Sequence, residues 1–384
     1  MNTFFVVNRI RGFLCESFDF INKNQSNYHI EYNTNISFET SKRWHLLLHK
    51  IVSLKIFDYF ALFQVVKPGK KLKGEKLISY NRLVNTNQPY YVILENPYAL
   101  VNYSDQRMNT TLSKHRLKKL FSSPSLKGII CISEACASTI DRIYNYDFDN
   151  VFQIYPLIPN GVFSKSWNTT INCLYISSDF YLKGGKEILA ALNNIYTKYS
   201  ITDVELTIVT PLEKLDSNLL QMINSLHIRL LDYNLDKETL HDLYSETHIL
   251  LNPTRMDSFS LVTLESMKYG CVYVGSSIYA IPEMVKDGEN GFLHDSVYSP
   301  WNENNQFDHQ RHTKMSALSD SQLFDKDMAS FIEMKVEYLI EHPQRLKEMA
   351  ICSYNTANNG VFDEKYILKQ WNSLLNTNFG VDYE

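Results

Sequence analysis

Asp257 and Glu265 stand eight residues apart. Between them lie Ser258, Phe259 and Ser260, then Leu261, which opens an apolar run with helical spacing (Leu261, Leu264, Met267). The first N–H groups of a helix lack partners inside it, and the helix dipole favours an anion there. Amides from Ser258 to Leu261 therefore suit a phosphate. Glu265 falls about four to six residues into the helix, roughly 6–9 Å along its axis. One carboxylate then reaches the near side of a diphosphate and the other its far side. A nucleotide sugar has that layout: sugar hydroxyls, two phosphates, ribose hydroxyls. A plainer reading fits the spacing as well, with Asp257 as an N-cap and Glu265 as a solvated helix residue.

The elements around these acids read as a unit. Leu250 to Asn252 is a short apolar strand, and Gly270 stops the helix where a left-handed residue belongs. A second strand runs from Cys271 to Gly275. A strand, helix and strand in that order predict parallel pairing with a right-handed crossover. Asp257, Glu265, Gly270, Val272 to Gly275, Pro282-Glu283 and Asn290-Gly291, in that order, resemble the signature of the retaining GT-B glycosyltransferases of family 4 (glycosyl transferases group 1). The first acid of that family is usually Glu, one methylene longer than Asp257. Ser258 and Ser260 stand where its glycines are usual.

Two further matches support the resemblance. Ser178-Asp179-Phe180 with Lys183-Gly184 looks like the family's phosphate loop, although Ser178 replaces an Arg that many members carry. Cys131 to Ala135, followed by Ile154-Tyr155-Pro156, looks like the end of the first domain. The resemblance implies two Rossmann-like doubly wound α/β domains facing a central cleft, the GT-B fold. It implies a nucleotide-diphosphate sugar donor, a UDP-sugar being commonest, and no metal or other cofactor. It assigns Lys183, Gly184 and the amides of Ser258, Phe259, Ser260 and Leu261 to the phosphates. Asp257 falls to the sugar hydroxyls and Glu265 to the ribose. Alone, Lys183 would read as a solvated loop lysine. Where relatives carry a sugar-contacting His, this chain has Glu95 and Asn96. Either fills that pocket, or Glu95 caps the next helix.

The whole chain fits a two-domain globular protein: 384 residues, 44% hydrophobic and 21% charged. A net charge of −4 argues against nucleic-acid binding. No run approaches the roughly 18 apolar residues of a membrane span. Phe4 to Val7 reads as a first strand rather than a leader, since Asn8 and Arg9 come at once. The six cysteines form no CxxC pair, so reduced thiols in a cytoplasmic protein are expected. The eleven histidines show no metal-binding spacing.

Alternating strand and helix patterns divide the chain. Residues 1–165 are expected to form one α/β domain and 172–360 another, with 166–171 as linker; the resemblance implies that the first binds the acceptor and the second the nucleotide-sugar donor. The resemblance implies that a last helix, about 364–376, crosses back to the first domain. Residues 294–327 read as an inserted surface loop. The strongest helical pattern is 41–66, with Lys42, Arg43, Lys50 and Lys55 on it and Lys67 just after. That face either rests on anionic lipid at the inner membrane surface or is the solvated side of a core helix. The acceptor is expected to be a glycan, a lipid-linked sugar or another hydroxyl in surface polysaccharide or glycoconjugate synthesis.

Three other readings compete. Asp147-Phe148-Asp149 and Asp325-Lys326-Asp327 spell the DxD of metal-dependent GT-A enzymes. Neither closes a strand, and such triplets arise by chance among 42 acids. The departures at Ser178, Asp257, Ser258 and Ser260 suit a catalytically degenerate binding or partner subunit. A phosphorylase would need a lysine-bound pyridoxal cofactor and a longer chain.

Overall fold

Nearly every apolar strand run of the sequence takes its place in one of two parallel sheets. The computed structural model describes residues 2–33, 65–69, 72, 75–167, 170–200, 203–318 and 322–376. The chain divides into two compact units, Met1–Leu157 with Lys365–Glu384, and Ile158–Glu364.

In the first unit the strands are β1 (Asn2–Val6), β2 (Tyr28–Glu31), β3 (Val65–Val66), β4 (Lys76–Tyr80), β5 (Leu83–Val84), β6 (Tyr90–Leu94), β7 (Leu126–Cys131) and β8 (Val151–Gln153). Six of them form a sheet in the order β2-β1-β4-β6-β7-β8, every pair parallel, while β3 pairs only with β5. Counted along the chain, that is 2-1-3-4-5-6. All five residues of β6 are buried, as a strand covered by helices on both faces requires. The helix Glu364–Asn376 belongs to this unit from Lys365 onward. Its Trp371 meets Phe18 edge to face at 6.0 Å, and Asn372 Oδ1 accepts from the Tyr28 hydroxyl at 2.8 Å.

In the second unit, β9 (Ile171–Ile176), β10 (Val204–Val209), β11 (Arg229–Leu231), β12 (Ile249–Asn252), β13 (Val272–Ser276) and β14 (Gly291–His294) pair in the order β11-β10-β9-β12-β13-β14, again all parallel. Counted the same way, this is 3-2-1-4-5-6, the order of dinucleotide-binding sheets. The two central strands β12 and β13 are buried along their whole length. One core of Ile, Leu, Val and Phe side chains lies between this sheet and its helices.

Several expectations need correction. The helix over 41–66 lies outside the described residues except for Val65 and Val66, which form β3. The strand expected over 151–157 ends at Gln153. Helices Gly12–Asn24 and Pro343–Asn358 add to those that the sequence pattern marks. Residues 294–327 are not a plain surface loop. They include helix His309–Ser316, and they bury Trp301, Phe307 and Met315. Trp301 packs on Tyr279 with ring centroids 4.1 Å apart. Apolar aromatics spaced along a polar segment were enough to give it a small core of its own.

Candidate functional site

The order 3-2-1-4-5-6 reverses between β9 and β12. Crossovers from these neighbours leave toward opposite sides, which opens a crevice at the carboxyl ends where ligands of such sheets bind. The loops leaving that point are residues 177–184 and 253–260. They touch through Gly184, whose φ is +80° and where a Cβ would lie 2.4 Å from the Pro253 carbonyl oxygen. Only glycine combines that conformation with that approach. Within the first loop, Asp179 Oδ1 accepts from the Leu182 amide at 3.0 Å and the Asp179 carbonyl from the Lys183 amide at 3.1 Å.

This framing aims Lys183 at the second loop. Its Nζ lies 2.9 Å from Asp257 Oδ2 and donates to the Met256 carbonyl at 2.5 Å. The other carboxylate oxygen, Asp257 Oδ1, accepts from the amides of Ser258 (2.9 Å), Phe259 (3.3 Å) and Ser260 (2.9 Å). Lys183 and Asp257 side chains are each about one-fifth exposed, at 22% and 23%. Burial pushes the Asp257 carboxyl up, but the charge and hydrogen bond of Lys183, with the Ser260 and Phe259 amides, outweigh it and hold it below the usual range.

These contacts revise two expectations. Three of the amides assigned to phosphate are taken by Asp257 instead. The shorter side chain explains this, since Asp reaches back to the amides just after it. Nor is Asp257 the N-cap of the helix Leu261–Lys268. That place belongs to Ser260, at φ +64°. A left-handed serine costs roughly 1 kcal/mol or more. Its hydroxyl offsets the cost by accepting from Asn252 Nδ2 at 2.9 Å and sharing a hydrogen bond with Thr263 at 2.8 Å. The helix ends as expected. Gly270, at φ +80°, donates to the Met267 carbonyl and Cys271 to the Ser266 carbonyl, a Schellman close.

Glu265 lies on the second turn of this helix and accepts from the Tyr244 hydroxyl at 2.9 Å. Tyr233, after β11, connects it to Ser178. Burial, then the Glu265 charge, raise the Tyr233 pKa, and a hydrogen bond with Ser178 opposes them. The structure thus groups Ser178, Lys183, Gly184, Asp257, Ser258, Phe259, Ser260, Leu261 and Glu265 on loops and a helix at one end of one sheet.

A buried pair beneath this group was invisible in the sequence. Arg255 and Glu187, each 1% exposed, form an ion pair. Arg255 also donates to the Tyr181 carbonyl, and Glu187 Oε1 accepts from the Asp325 amide at 2.5 Å. The pair ties both site loops to the helix Gly185–Ile195. Nothing separates Arg255 from a surface arginine in sequence, because its partner is 68 positions away.

Two buried lysines brace the same elements. Lys165 Nζ donates to the Tyr244 carbonyl at 2.6 Å and also to that of Thr247, so a cation sits at the carboxyl end of the helix Lys237–Glu246. Lys268, the last residue of the Asp257–Glu265 helix, donates to Asn160 Oδ1 and to the Phe362 carbonyl, both at 2.8 Å. Burial pulls its pKa down to about 8, against the opposing pull of Asp363 and Glu364.

Glu95 and Asn96 belong to the first unit. Asn96, not Glu95, is the cap: its Oδ1 accepts from the Ala99 amide at 3.2 Å at the start of the 3-10 turn Pro97–Val101. Glu95 is buried against Tyr80, Asn81 and Arg11. Of the DxD triplets, Asp325 is a helix N-cap whose Oδ1 accepts from the Met328 amide at 3.1 Å. Among the described residues, no group of three or more His, Cys, Asp or Glu is placed to hold a metal ion. No helix among them is long and apolar enough to cross a membrane. No disulfide joins the six cysteines, four of which are buried.

Residues 171–299 match the family model described as Glycosyl transferases group 1. A Bacillus anthracis protein named N-acetyl-alpha-D-glucosaminyl L-malate synthase is 23% identical over 227 residues, 51% of this chain and 58% of that one. An uncharacterized 41.2 kDa protein from the cps region of Klebsiella pneumoniae is 34% identical over 58 residues, 15% of this chain and 16% of that one. The chain therefore spans less than two thirds of either curated relative. Among solved structures, a glycosyltransferase from Rickettsia africae superposes with a TM-score of 0.61 at 12% identity, covering 98% of this chain and 99% of that one. Anabaena Alr3699/HepE in complex with UDP gives 0.60 at 14% identity with the same coverage. These likenesses establish the GT-B fold class: parallel α/β, with two Rossmann-like domains.

Proposed function

We propose that this chain, whose second unit carries a glycosyl transferases group 1 domain, is a glycosyltransferase. It takes a sugar from a nucleotide-diphosphate donor, a UDP-sugar first, and passes it to a hydroxyl of a glycan or lipid-linked acceptor with retention. One observation carries the reading. Lys183 and Asp257 converge from the two loops that leave the switch point of the second sheet. The solved Anabaena relative that holds UDP supports a uridine donor.

The roles rest on the geometry. Lys183 and the first amides of the helix, Leu261 and Val262, take the diphosphate. As it arrives it competes with Asp257 Oδ2 for Lys183. Oδ1 stays on its three amides, and Oδ2 turns to the sugar hydroxyls. Glu265, steadied by Tyr244, binds the ribose. Glu95, Asn96 and their neighbours in the first unit serve the other substrate. The leaving diphosphate itself helps deprotonate the acceptor, so the protein supplies placement and charge stabilisation. No metal is needed where Lys183 and a helix N-terminus neutralise the phosphates. The protein works in the cytoplasm, with a peripheral membrane contact through the basic residues of 41–66. Flotation on anionic against neutral liposomes tests that contact, and equal or no binding removes it.

The transferase reading is tested by measuring nucleotide release from UDP-glucose, UDP-N-acetylglucosamine and GDP-mannose in EDTA. Release or transfer that survives EDTA is expected. Activity restored only by added Mn²⁺ would revive the DxD reading. No release from any donor, with UDP still bound, would make the chain a donor-binding subunit.

A further inference from the structure

The strand ends of the first unit carry a second polar assembly. Glu95, at the end of β6, is 4% exposed. It accepts from the Tyr80 hydroxyl and from Asn81 Nδ2 at 3.2 Å, and it pairs with Arg11 Nη1 at 3.2 Å. Asn8, buried just beyond β1, donates from Nδ2 to the Tyr80 carbonyl at 2.7 Å and accepts at Oδ1 from the Tyr80 amide at 2.9 Å. Buried side chains therefore hold the loops after β1, β4 and β6 together. In this sheet the order reverses between β1 and β4, so these loops leave its switch point.

Charge distinguishes the assembly from ordinary packing. The Arg11 side chain is 66% exposed although it is anchored on a buried carboxylate. Arg9 on the same loop is exposed, and Arg82, after β4, is half-buried. Three arginines thus stand on loops that the buried side chains tie together, one of them paired with the buried acid. Arg11 also precedes the helix Gly12–Asn24, whose first turn carries no acid. A cation at the positive end of a helix is repelled there, and the pair with Glu95 offsets that repulsion while leaving most of the guanidinium exposed.

We propose that Arg11, with Arg9 and Arg82, binds an anionic group, a phosphate or a carboxylate, carried by the acceptor. Glu95 is a positioning residue. It fixes one edge of the guanidinium so that its planar fork meets the two oxygens of such a group. The anion site stands on the first unit's residues, and calling its ligand the acceptor rests on the transferase reading.

Phenylglyoxal labelling of the full chain, read at Arg11 by peptide mass spectrometry, tests this. The probes are phenyl phosphate, benzoate and the neutral phenyl β-D-glucopyranoside. At about 10 mM, an anion with a Kd of about 2 mM slows modification roughly sixfold by occupancy. Protection by at least one anion and not by the glucoside is expected, and the protecting anion names the group. Arg311, on the second unit, should be indifferent to all three. No protection by either anion, equal protection by the glucoside, or the same protection by UDP alone would overturn the proposal. In Glu95→Gln the reactivity of Arg11 should rise severalfold, because the ion pair holds one edge of the guanidinium away from the reagent. Unchanged reactivity would refute the positioning role. Calorimetry with UDP and GDP on the same preparation keeps the two readings apart. Protection without nucleotide binding would sink the transferase reading and leave the anion site.

Discussion

The two units obey one rule with different strand orders. The second sheet runs 3-2-1-4-5-6 and the first 2-1-3-4-5-6, and each places its polar side chains where the order reverses. What they do with charge differs. In the second unit the cation and acid of the site, Lys183 and Asp257, satisfy each other, and a buried Arg255–Glu187 pair fixes their loops. In the first, the acid is buried and the arginines lean outward. Architecture thus decides where the polar side chains gather, and loop chemistry decides how they are shared between partners and solvent.

The largest effect should come from breaking the second unit's frame. Arg255→Met strands Glu187 in the core and should cost about 3–5 kcal/mol, read by urea unfolding. Arg255→Met with Glu187→Leu should recover most of it. If the single variant is as stable as the parent, the pair is not what holds the loops.

Next is Lys268, where the second unit's chain segments at Asn160 and Phe362 meet. Its folded pKa of about 8 lies below the ordinary lysine value of 10.5. Between these values the unfolded chain binds more protons, so stability should rise with pH across that window. At 1.36 kcal/mol per unit the rise is roughly 3 kcal/mol. Denaturation of the parent and Lys268→Met at pH 7.5 and 10 should show the slope in the parent and a flatter one in the variant. Equal slopes would mean that the lysine is not buried as a cation.

Lys183→Ala separates site from frame. It should weaken UDP by about 1.5–3 kcal/mol, roughly 10- to 150-fold, with little change in melting temperature. A large loss of stability with unchanged affinity would make Lys183 part of the frame. Smallest is Ser260→Gly. Relief at φ +64° is set against two lost hydrogen bonds, so the net change should stay within about 1 kcal/mol. A larger loss would show that the hydroxyl, rather than the backbone, shapes the loop.

The sequence made some of this legible. Apolar runs marked β6, β12 and β13 because strands covered on both faces read as nearly unbroken apolar stretches, and β9 and β10 stood out although Asn172 and Glu205 interrupt them. Gly270 marked a real left-handed position. Asp257, Lys183 and Glu265 were singled out by their neighbours in order, and the structure brings them to one end of one sheet. What local pattern did not carry were partners distant in the chain. Arg255 needs Glu187, Glu265 needs Tyr244, and Glu95 needs Arg11 and Tyr80. The occupation of the Ser258–Ser260 amides by Asp257 turned on one missing methylene, which spacing does not show. The polar segment 294–327 concealed Trp301, Phe307, Met315 and Leu323, all buried, among solvated side chains.

The central claim is that Glu265 holds the nucleotide while Asp257 holds only the sugar and restrains Lys183. Calorimetry with UDP on Glu265→Ala and Asp257→Ala tests it most directly. Glu265→Ala should lose roughly 10- to 150-fold in affinity. Asp257→Ala should bind UDP at least as tightly as the parent, because Lys183 has lost its competitor, and should turn over poorly. Equal weakening in both variants, or no change in Glu265→Ala, would contradict the account.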